Sequence, residues 1–187
     1  MTTLAAIQGD GWAVIGADRK ASDEDGSFVY MSSPKIFSNG CALIAGSGNV
    51  RGLNILEHGW TAPRYQGKTV QQYITKYFIP SIRKTMIESG SDIKEESKSA
   101  IFENGLIVAV RGQLFAIAED YSWDQSTRGI FTDGSGGKYA AAVLATTYPN
   151  NTQSPQSAIA SIRQAITIAI DLDLYSGGDI DTFVQYE

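Results

Sequence analysis

The chain has 187 residues, 43% of them hydrophobic and 19% charged, which is the composition of a globular protein with a sizeable core. Its net charge of −5 argues against nucleic acid or an anionic membrane as a partner, because such binders carry a basic face. One cysteine and one histidine cannot supply an internal disulfide or a four-ligand zinc site. The N-terminus lacks a secretory signal and no apolar stretch reaches the about 20 residues of a membrane span, so the sequence predicts a soluble cytoplasmic protein.

The first third of the chain has the pattern of short β-strands. Residues 2–8 and 12–17 flank the turn Gly9-Asp10-Gly11, which predicts a hairpin at the N-terminus. Further short apolar runs, each bounded by turn residues, predict strands over residues 28–31, 35–37 and 41–45.

Beyond residue 48 the apolar residues follow a helical period. Helical spacing continues to about residue 59, and Thr69 with Gln72 forms a capping box for a longer helix. Pro80 is expected to kink or break that helix. The polar residues 89–99 are expected to be exposed.

Strands and helices alternate in blocks through the second half. Strands are predicted over 106–110 and 114–118, a helix over 139–147 and a closing strand over 181–186. Pro155 after Ser154 has the position of a first helical residue. Helices grouped between blocks of antiparallel strands predict an α+β layered fold.

Several common catalytic sites do not fit the sequence. A Ser-His-Asp or Cys-His site could use only His58, which is interpreted as a surface histidine near the end of a helix. Ser47 does not lie in a G-x-S-x-G turn, and Gly67-Lys68-Thr69 lacks the earlier glycine of a phosphate-binding loop. Cys41 begins an apolar strand and is interpreted as a small core residue.

A hydroxyl nucleophile needs a base, and a free α-amine is one alternative to histidine. The unperturbed pKa of an α-amine is about 7.7–8.0, so part of it is neutral near physiological pH. An N-terminal threonine carries both groups in one residue. Thr2 takes this place if Met1 is removed, and threonine is a small second residue that favours such removal.

Thr2 is followed by an ordered series of short motifs. They are Gly16-Ala17-Asp18-Arg19-Lys20-Ala21, Pro34-Lys35-Ile36, Leu43-Ile44-Ala45-Gly46-Ser47-Gly48, Asp133-Gly134-Ser135-Gly136-Gly137 and Asp173-Leu174-Tyr175-Ser176-Gly177-Gly178. In this order the series resembles the β subunits of proteasomes, the HslV-type bacterial peptidase and Anbu-type homologues. The resemblance covers nearly the whole chain and implies a threonine-type endopeptidase of the N-terminal-nucleophile hydrolases.

The resemblance implies roles for the residues around Thr2. The Thr2 hydroxyl would attack the scissile carbonyl while its own α-amine takes the proton. The Lys35 ammonium would lower the pKa of both groups, and Asp18 would keep Lys35 charged and oriented. The Gly46 N–H would help to form the oxyanion hole.

Further contacts are implied by the same resemblance. Ser135 and Asp173 would orient the N-terminal amine and its proton path. Ile44 would line the pocket for the side chain before the cut, which predicts a preference for apolar or medium-sized residues. Substrate contacts are expected at Lys20, Ala21, Ile44, Gly46, Ser47 and Gly48.

A fold and an assembly are implied as well. We expect residues 1–187 to form a single domain with a four-layer αββα sandwich, without a cofactor or metal. Homo-oligomeric rings or stacked rings are expected, with Tyr73, Tyr77 and Phe78 as candidate contact residues. An ATP-dependent unfoldase is the implied partner.

Two other functions stay open on the sequence. A ring-forming scaffold without activity would retain Met1 and tolerate Lys35→Ala. An N-terminal-nucleophile amidase for small molecules would be a monomer or dimer that does not cleave peptides. The start Met1-Thr2 is similar to HslV, whereas residues 173–178 are closer to the proteasome β pattern, so the subfamily stays open too.

Overall fold

The computed structural model describes residues 1–23, 25–91, 102–148 and 154–187. These residues form a mixed α/β structure in which helices pack on antiparallel sheets. Most of the polar segment 89–99 lies outside the described residues.

The strands are numbered in chain order. They are β1 (Leu4–Gln8), β2 (Trp12–Asp18), β3 (Lys20–Ser22), β4 (Phe28–Tyr30), β5 (Ile36–Asn39), β6 (Ala42–Gly48), β7 (Asn104–Val110), β8 (Gln113–Ile117), β9 (Trp123–Asp124), β10 (Ile130–Asp133) and β11 (Ile180–Tyr186). The sequence predicts most of these strands. It misses β3, β9 and β10, because strands this short are too brief to show an alternation of apolar and polar residues.

The N-terminal hairpin forms the centre of a four-stranded antiparallel sheet with the order β10-β1-β2-β11. Its register pairs Leu4 with Ala17 and Gln8 with Ala13, which confirms the predicted hairpin. Every residue of β2 is buried, because both faces of this strand are covered.

A second sheet has five strands in the order β5-β6-β7-β8-β9, so each strand pairs with its neighbour in the chain. The pair β6 and β7 runs from Ala42 opposite Val110 to Gly48 opposite Asn104. Strands β3 and β4 form a separate hairpin.

The helices are α1 (Val50–Asn54), α2 (Val70–Tyr73), α3 (Ile79–Glu88), α4 (Gly137–Thr147) and α5 (Pro155–Leu172). The capping predictions are confirmed: Thr69 Oγ1 accepts from Gln72 N at 3.2 Å, and Ser154 Oγ accepts from Ser157 N at 3.3 Å. A side-chain acceptor at each start satisfies one of the unpaired N–H groups of the first turn.

The long helix before residue 90 stays helical through Pro80. A π-helical segment, Ile74–Phe78, joins α2 to α3, and Pro80 lies in the first turn of α3. Proline has no N–H to bond to the preceding turn, and that turn is the π-helical segment, in which Ile79 N bonds to Ile74 O. The predicted disturbance is therefore a π-helical segment and not a break.

Three apolar clusters build the core. One packs the second sheet against α2 and α3, another packs the first sheet against α4 and α5, and the third contains residues of both sheets. Alternate residues of β1 divide between two clusters: Leu4 and Ala6 face the second sheet, whereas Ala5 and Ile7 face the helices.

The aromatic residues predicted to serve contacts between subunits lie mostly in this core. Tyr73 and Phe78 are fully buried against the second sheet, and only Tyr77 is partly buried. The prediction of Tyr73 and Phe78 as contact residues is wrong, because their stripe covers the chain's own sheet.

Candidate functional site

The Lys35 side chain connects the first residues of the chain to the end of β2. Its ammonium nitrogen lies 3.1 Å from Thr2 Oγ1 and 2.8 Å from Asp18 Oδ1, and it also donates to the main-chain carbonyl of Lys20. Thr2, Asp18 and Lys35 are 6%, 0% and 7% exposed. Three acceptors use the three N–H bonds of the ammonium, so its position beside the Thr2 hydroxyl is fixed.

Strand register explains why these residues meet. Because Leu4 pairs with Ala17, the residues just before β1 lie beside Asp18, the last residue of β2. Thr3 N donates to Asp18 Oδ1 at 2.9 Å and secures that end of the hairpin. Lys35 directly precedes β5, so the second sheet supplies the ammonium.

The Asp18 carboxylate is held by main-chain N–H groups as well as by Lys35. Oδ1 accepts from Thr3 N, and Oδ2 accepts from Lys20 N at 3.2 Å and from Gly177 N at 2.9 Å. These bonds offset part of the cost of burying the charge and fix the orientation of the carboxylate.

Burial shifts the pKa of two amines at this site. Burial lowers the pKa of Lys35 below its ordinary value, and the Asp18 charge and hydrogen bond oppose this shift. The pKa of the Met1 α-amine is also lowered, first by burial and then by the positive charge of Lys35. Each shift lowers the pH at which the amine concerned loses its proton.

A second polar cluster lies on the other side of the N-terminus. Asp173, the C-cap residue directly after α5, accepts on Oδ2 from Ser135 Oγ at 2.7 Å and from Ser176 Oγ at 2.6 Å. Ser176 Oγ in turn lies 2.6 Å from Thr3 Oγ1. The structure therefore brings the predicted pair Ser135 and Asp173 together and adds Ser176 to it.

The glycine-rich loop before α4 lies directly against Thr2. Gly134 has a φ of +81°, and a Cβ at this position would overlap the Thr2 carbonyl. Gly136 N donates to Thr2 O at 3.4 Å, and Ser135 Oγ lies 3.4 Å from the same oxygen. Only glycine allows both this conformation and this approach at position 134.

A cavity of about 100 Å³ opens beside Thr2. Thr2 and Lys35 border it together with the predicted substrate residues Ala21, Gly46 and Gly48. Met1 and Pro34 also line it. The other large apolar side chains and the one acidic side chain come from residues that the sequence does not single out as site residues: Met31, Phe37, Val50, Leu53 and Glu57.

The remaining predicted substrate residues lie at the edge of this site or outside it. Ile44 is fully buried among the residues that pack against α2 and α3. Ser47 Oγ donates to Asp133 Oδ2 at 2.6 Å. Lys20 offers its main-chain carbonyl to Lys35, while its ammonium donates to Leu174 O at 2.7 Å.

Three polar residues of the site carry no catalytic signature in the sequence. Ser176 lies in a motif quoted above, Asp133 precedes the glycine-rich loop, and Asn104 begins β7. Ser176 contacts Asp173, which is 3 positions away, and Asp133 contacts Ser47, which is 86 positions away. Asn104 contacts the main chain of Ser47 in β6, which is 57 positions away. The two long separations depend on strand order and not on local pattern.

The described residues contain neither a cluster of metal ligands nor a helix of membrane-spanning character. No group of three or more His, Cys, Asp or Glu side chains there is arranged to hold a metal ion. No helix among them is long and apolar enough to cross a membrane.

Comparison with known proteins places the fold. No protein-family model matches the chain, and no curated protein matches it. Among solved structures, BPH of Thiobacillus denitrificans superposes with a TM-score of 0.79 at 19% identity, over 99% of this chain and 98% of that one. A structure of the same protein in complex with epoxomicin gives the same values.

Eukaryotic HslV from Trypanosoma brucei is also similar, with a TM-score of 0.66 and 18% identity over 100% of both chains. The chain therefore has the proteasome-like fold of HslV and BPH. This confirms, at the level of the fold, the resemblance that the ordered motifs indicate.

Proposed function

We propose that this chain is a proteasome-type threonine peptidase whose nucleophile is Thr2 after removal of Met1. One observation carries the proposal: a buried ammonium, Lys35, lies 3.1 Å from the Thr2 hydroxyl and is paired with the fully buried Asp18. A lysine that served only the packing of the core would not need to direct its ammonium at the hydroxyl of the second residue of the chain.

In the proposed reaction Thr2 Oγ1 attacks the scissile carbonyl carbon, and the Thr2 α-amine accepts the hydroxyl proton. The amine then gives this proton to the leaving nitrogen, so that an ester to Thr2 remains and the first product departs. Water adds to the ester through the same amine and releases the second product. The charge of Lys35 stabilises the forming alkoxide and lowers the pKa of the amine.

The other predicted residues have supporting roles in this proposal. The N–H of Gly46 stabilises the oxyanion, and the N–H of Gly48 is a second donor on the same cavity. Ser135 and Asp173 hold the proton path on the amine side, as their 2.7 Å contact and the approach of Ser135 to the Thr2 carbonyl suggest.

The substrate we propose is an unfolded polypeptide. The cavity beside Thr2 has apolar walls at Met31, Phe37 and Leu53, which supports the predicted preference for apolar or medium-sized side chains before the cut. Glu57 adds a negative charge to the lining, so we expect acidic side chains to be disfavoured.

For the architecture we propose the four-layer αββα order, which the three apolar clusters support, in a single domain spanning residues 1–187. We also propose rings or stacked rings. Exposed apolar side chains on the β3–β4 hairpin, Phe28, Val29 and Tyr30 at 56–60% exposure, support contacts between copies. Light scattering at micromolar concentration tests this, and a monomer would contradict it. An ATP-dependent unfoldase partner and a cytoplasmic location stay predictions.

The experiment that tests the function is the intact mass of the purified protein before and after incubation with epoxomicin, a peptide epoxyketone. Such a reagent needs the free amine and the hydroxyl of one N-terminal threonine. We expect loss of Met1 and one adduct per chain, with no adduct on Thr2→Ala. Retained Met1 without an adduct would favour the inactive scaffold. An adduct without peptide cleavage would favour an amidase for small molecules.

A further inference from the structure

Asn104, the first residue of β7, holds the segment that joins β6 to α1. It is fully buried, and its amide nitrogen donates one hydrogen bond to Ser47 O and one to Asn49 O, each at 2.9 Å. Both N–H bonds of the amide are therefore used on main-chain carbonyls on either side of Gly48.

The orientation of this amide is determined by its neighbours. A rotation by 180° would place Oδ1 against the carbonyls of Ser47 and Asn49, where it could form no hydrogen bond. A glycine makes room for the side chain, since a Cβ at Gly52 would overlap Asn104 Oδ1. A Cβ at Gly48 would lie 3.2 Å from Asn104 Nδ2 and would overlap the Glu103 carbonyl.

Holding Ser47 O also sets the direction of the next N–H group. A trans peptide is planar, so the Gly48 N–H points away from the Ser47 carbonyl and hence away from Asn104 and β7. Asn49 N donates toward β7, to Glu103 O at 3.3 Å. Successive N–H groups of a strand point to alternate sides, so this bond also fits a Gly48 N–H that points away from β7. Gly48, with a φ of +101°, borders the cavity shared by Thr2 and Lys35.

The same segment is anchored from two other directions. The Ser47 hydroxyl donates to Asp133, which directly precedes the loop against Thr2. Asn49 caps α1, with Oδ1 accepting from Arg51 N at 2.9 Å, and Val50 and Leu53 of that helix form a cavity wall. Movement of residues 47–49 would therefore change both the N–H donors and the wall.

We propose that Asn104 is a positioning residue that fixes the Gly48 N–H toward the cavity, where this group stabilises the oxyanion formed during attack by Thr2. The proposal rests on the proposed function. Asn104 does not touch the substrate and acts through the main chain of residues 47–49. It should therefore affect the transition state more than substrate binding, because the oxyanion forms only in the transition state.

The test compares Asn104→Ala with Asn39→Ala in the full chain. Asn39, at the opposite end of β5 and β6, also uses its Nδ2 on two main-chain carbonyls, Leu56 O at 3.0 Å and Trp60 O at 2.9 Å. Its Oδ1 accepts a third hydrogen bond, from Ala62 N at 2.8 Å. For both variants we would measure kcat and KM on a fluorogenic peptide and amide hydrogen exchange of residues 46–50, together with urea unfolding. Asn104→Ser, which keeps one donor, serves if the alanine variant fails to fold.

We expect Asn104→Ala to lower kcat about 10- to 100-fold with KM within about threefold, and to speed exchange at residues 46–50. Asn39→Ala should keep kcat, although it loses one hydrogen bond more and should lose at least as much stability. Equal kcat losses in the two variants, or unchanged exchange in Asn104→Ala, would overturn the proposal. If the parent protein neither cleaves peptides nor forms an epoxomicin adduct, the proposed function fails and the catalytic role of Asn104 fails with it. The exchange data then still decide whether Asn104 positions Gly48.

Discussion

Replacement of Asp18 by Asn should lower the free energy of unfolding more than replacement of its partner Lys35 by Met. Each carboxylate oxygen of Asp18 accepts two hydrogen bonds: Oδ1 from Thr3 N and Lys35 Nζ, Oδ2 from Lys20 N and Gly177 N. An amide offers one oxygen, so in either orientation two buried donors face an NH₂ group. Each lost acceptor costs about 1–3 kcal/mol, and the buried ammonium loses its counterion as well.

From these contacts we expect Asp18→Asn to lower the free energy of unfolding by at least about 4 kcal/mol, a large part of the about 5–15 kcal/mol of an ordinary domain. Lys35→Met should cost less, about 1.5–3 kcal/mol, because Asp18 keeps three main-chain N–H donors and the methionine can fill the buried space.

The assay is urea unfolding of both variants, with Asp181→Asn as the control. Asp181 forms a bidentate pair with Arg19 whose two side chains are 15% and 24% exposed, so its loss should cost about 1 kcal/mol or less. The predicted order of losses is therefore Asp18→Asn, Lys35→Met, Asp181→Asn. A Lys35→Met loss equal to or larger than that of Asp18→Asn would refute the argument that main-chain donors hold Asp18.

Three further changes have defined outcomes. Glu57→Gln should lower the preference for Lys over Glu before the cut by about threefold in kcat/KM, and the exposed Glu88→Gln should leave it unchanged. Burial lowers the folded-state pKa of Lys35, so between that pKa and 10.5 the unfolded chain binds more protons than the folded one. The stability of the parent protein relative to Lys35→Met should therefore rise with pH in this alkaline window. A difference in urea midpoint between the two proteins that is the same at pH 7 and pH 10 would contradict this. Gly134→Ala should abolish adduct formation, since its Cβ would displace Thr2, whereas Gly11→Ala, also at positive φ, should cost stability alone.

Local signals in the sequence predict the N-terminal hairpin, whereas the roles of Thr2 and Asp18 come from the family resemblance. The turn at residues 9–11 fixes the register that places Thr2 and Thr3 beside Asp18, so the contact between the N-terminus and Asp18 follows from one hairpin. The caps Thr69 and Ser154 could be predicted as well, because their side chains bond to N–H groups three residues away.

Contacts across strands could not be predicted in this way. Asn104 lies just before the predicted strand 106–110 and carries no signal of its own, so its proposed role follows only from the pairing of β7 with β6. The helical stripe of Tyr73 and Phe78 shows the same limit. A stripe indicates which face of a helix is buried, but not whether its own sheet or another subunit covers it.

In the proposed mechanism, removal of Met1 is the step that turns an assembled site into an active one. Lys35, Asp18, Ser135 and Asp173 already have their hydrogen-bond partners while Thr2 N is still a peptide nitrogen. A peptide nitrogen cannot accept the hydroxyl proton, so the Thr2 hydroxyl has no base until Met1 is cut away. The new amine would form beside Lys35, whose charge already lowers the pKa of the Met1 amine. Burial and the neighbouring ammonium then keep part of the new amine neutral, and the base is created where the nucleophile already lies.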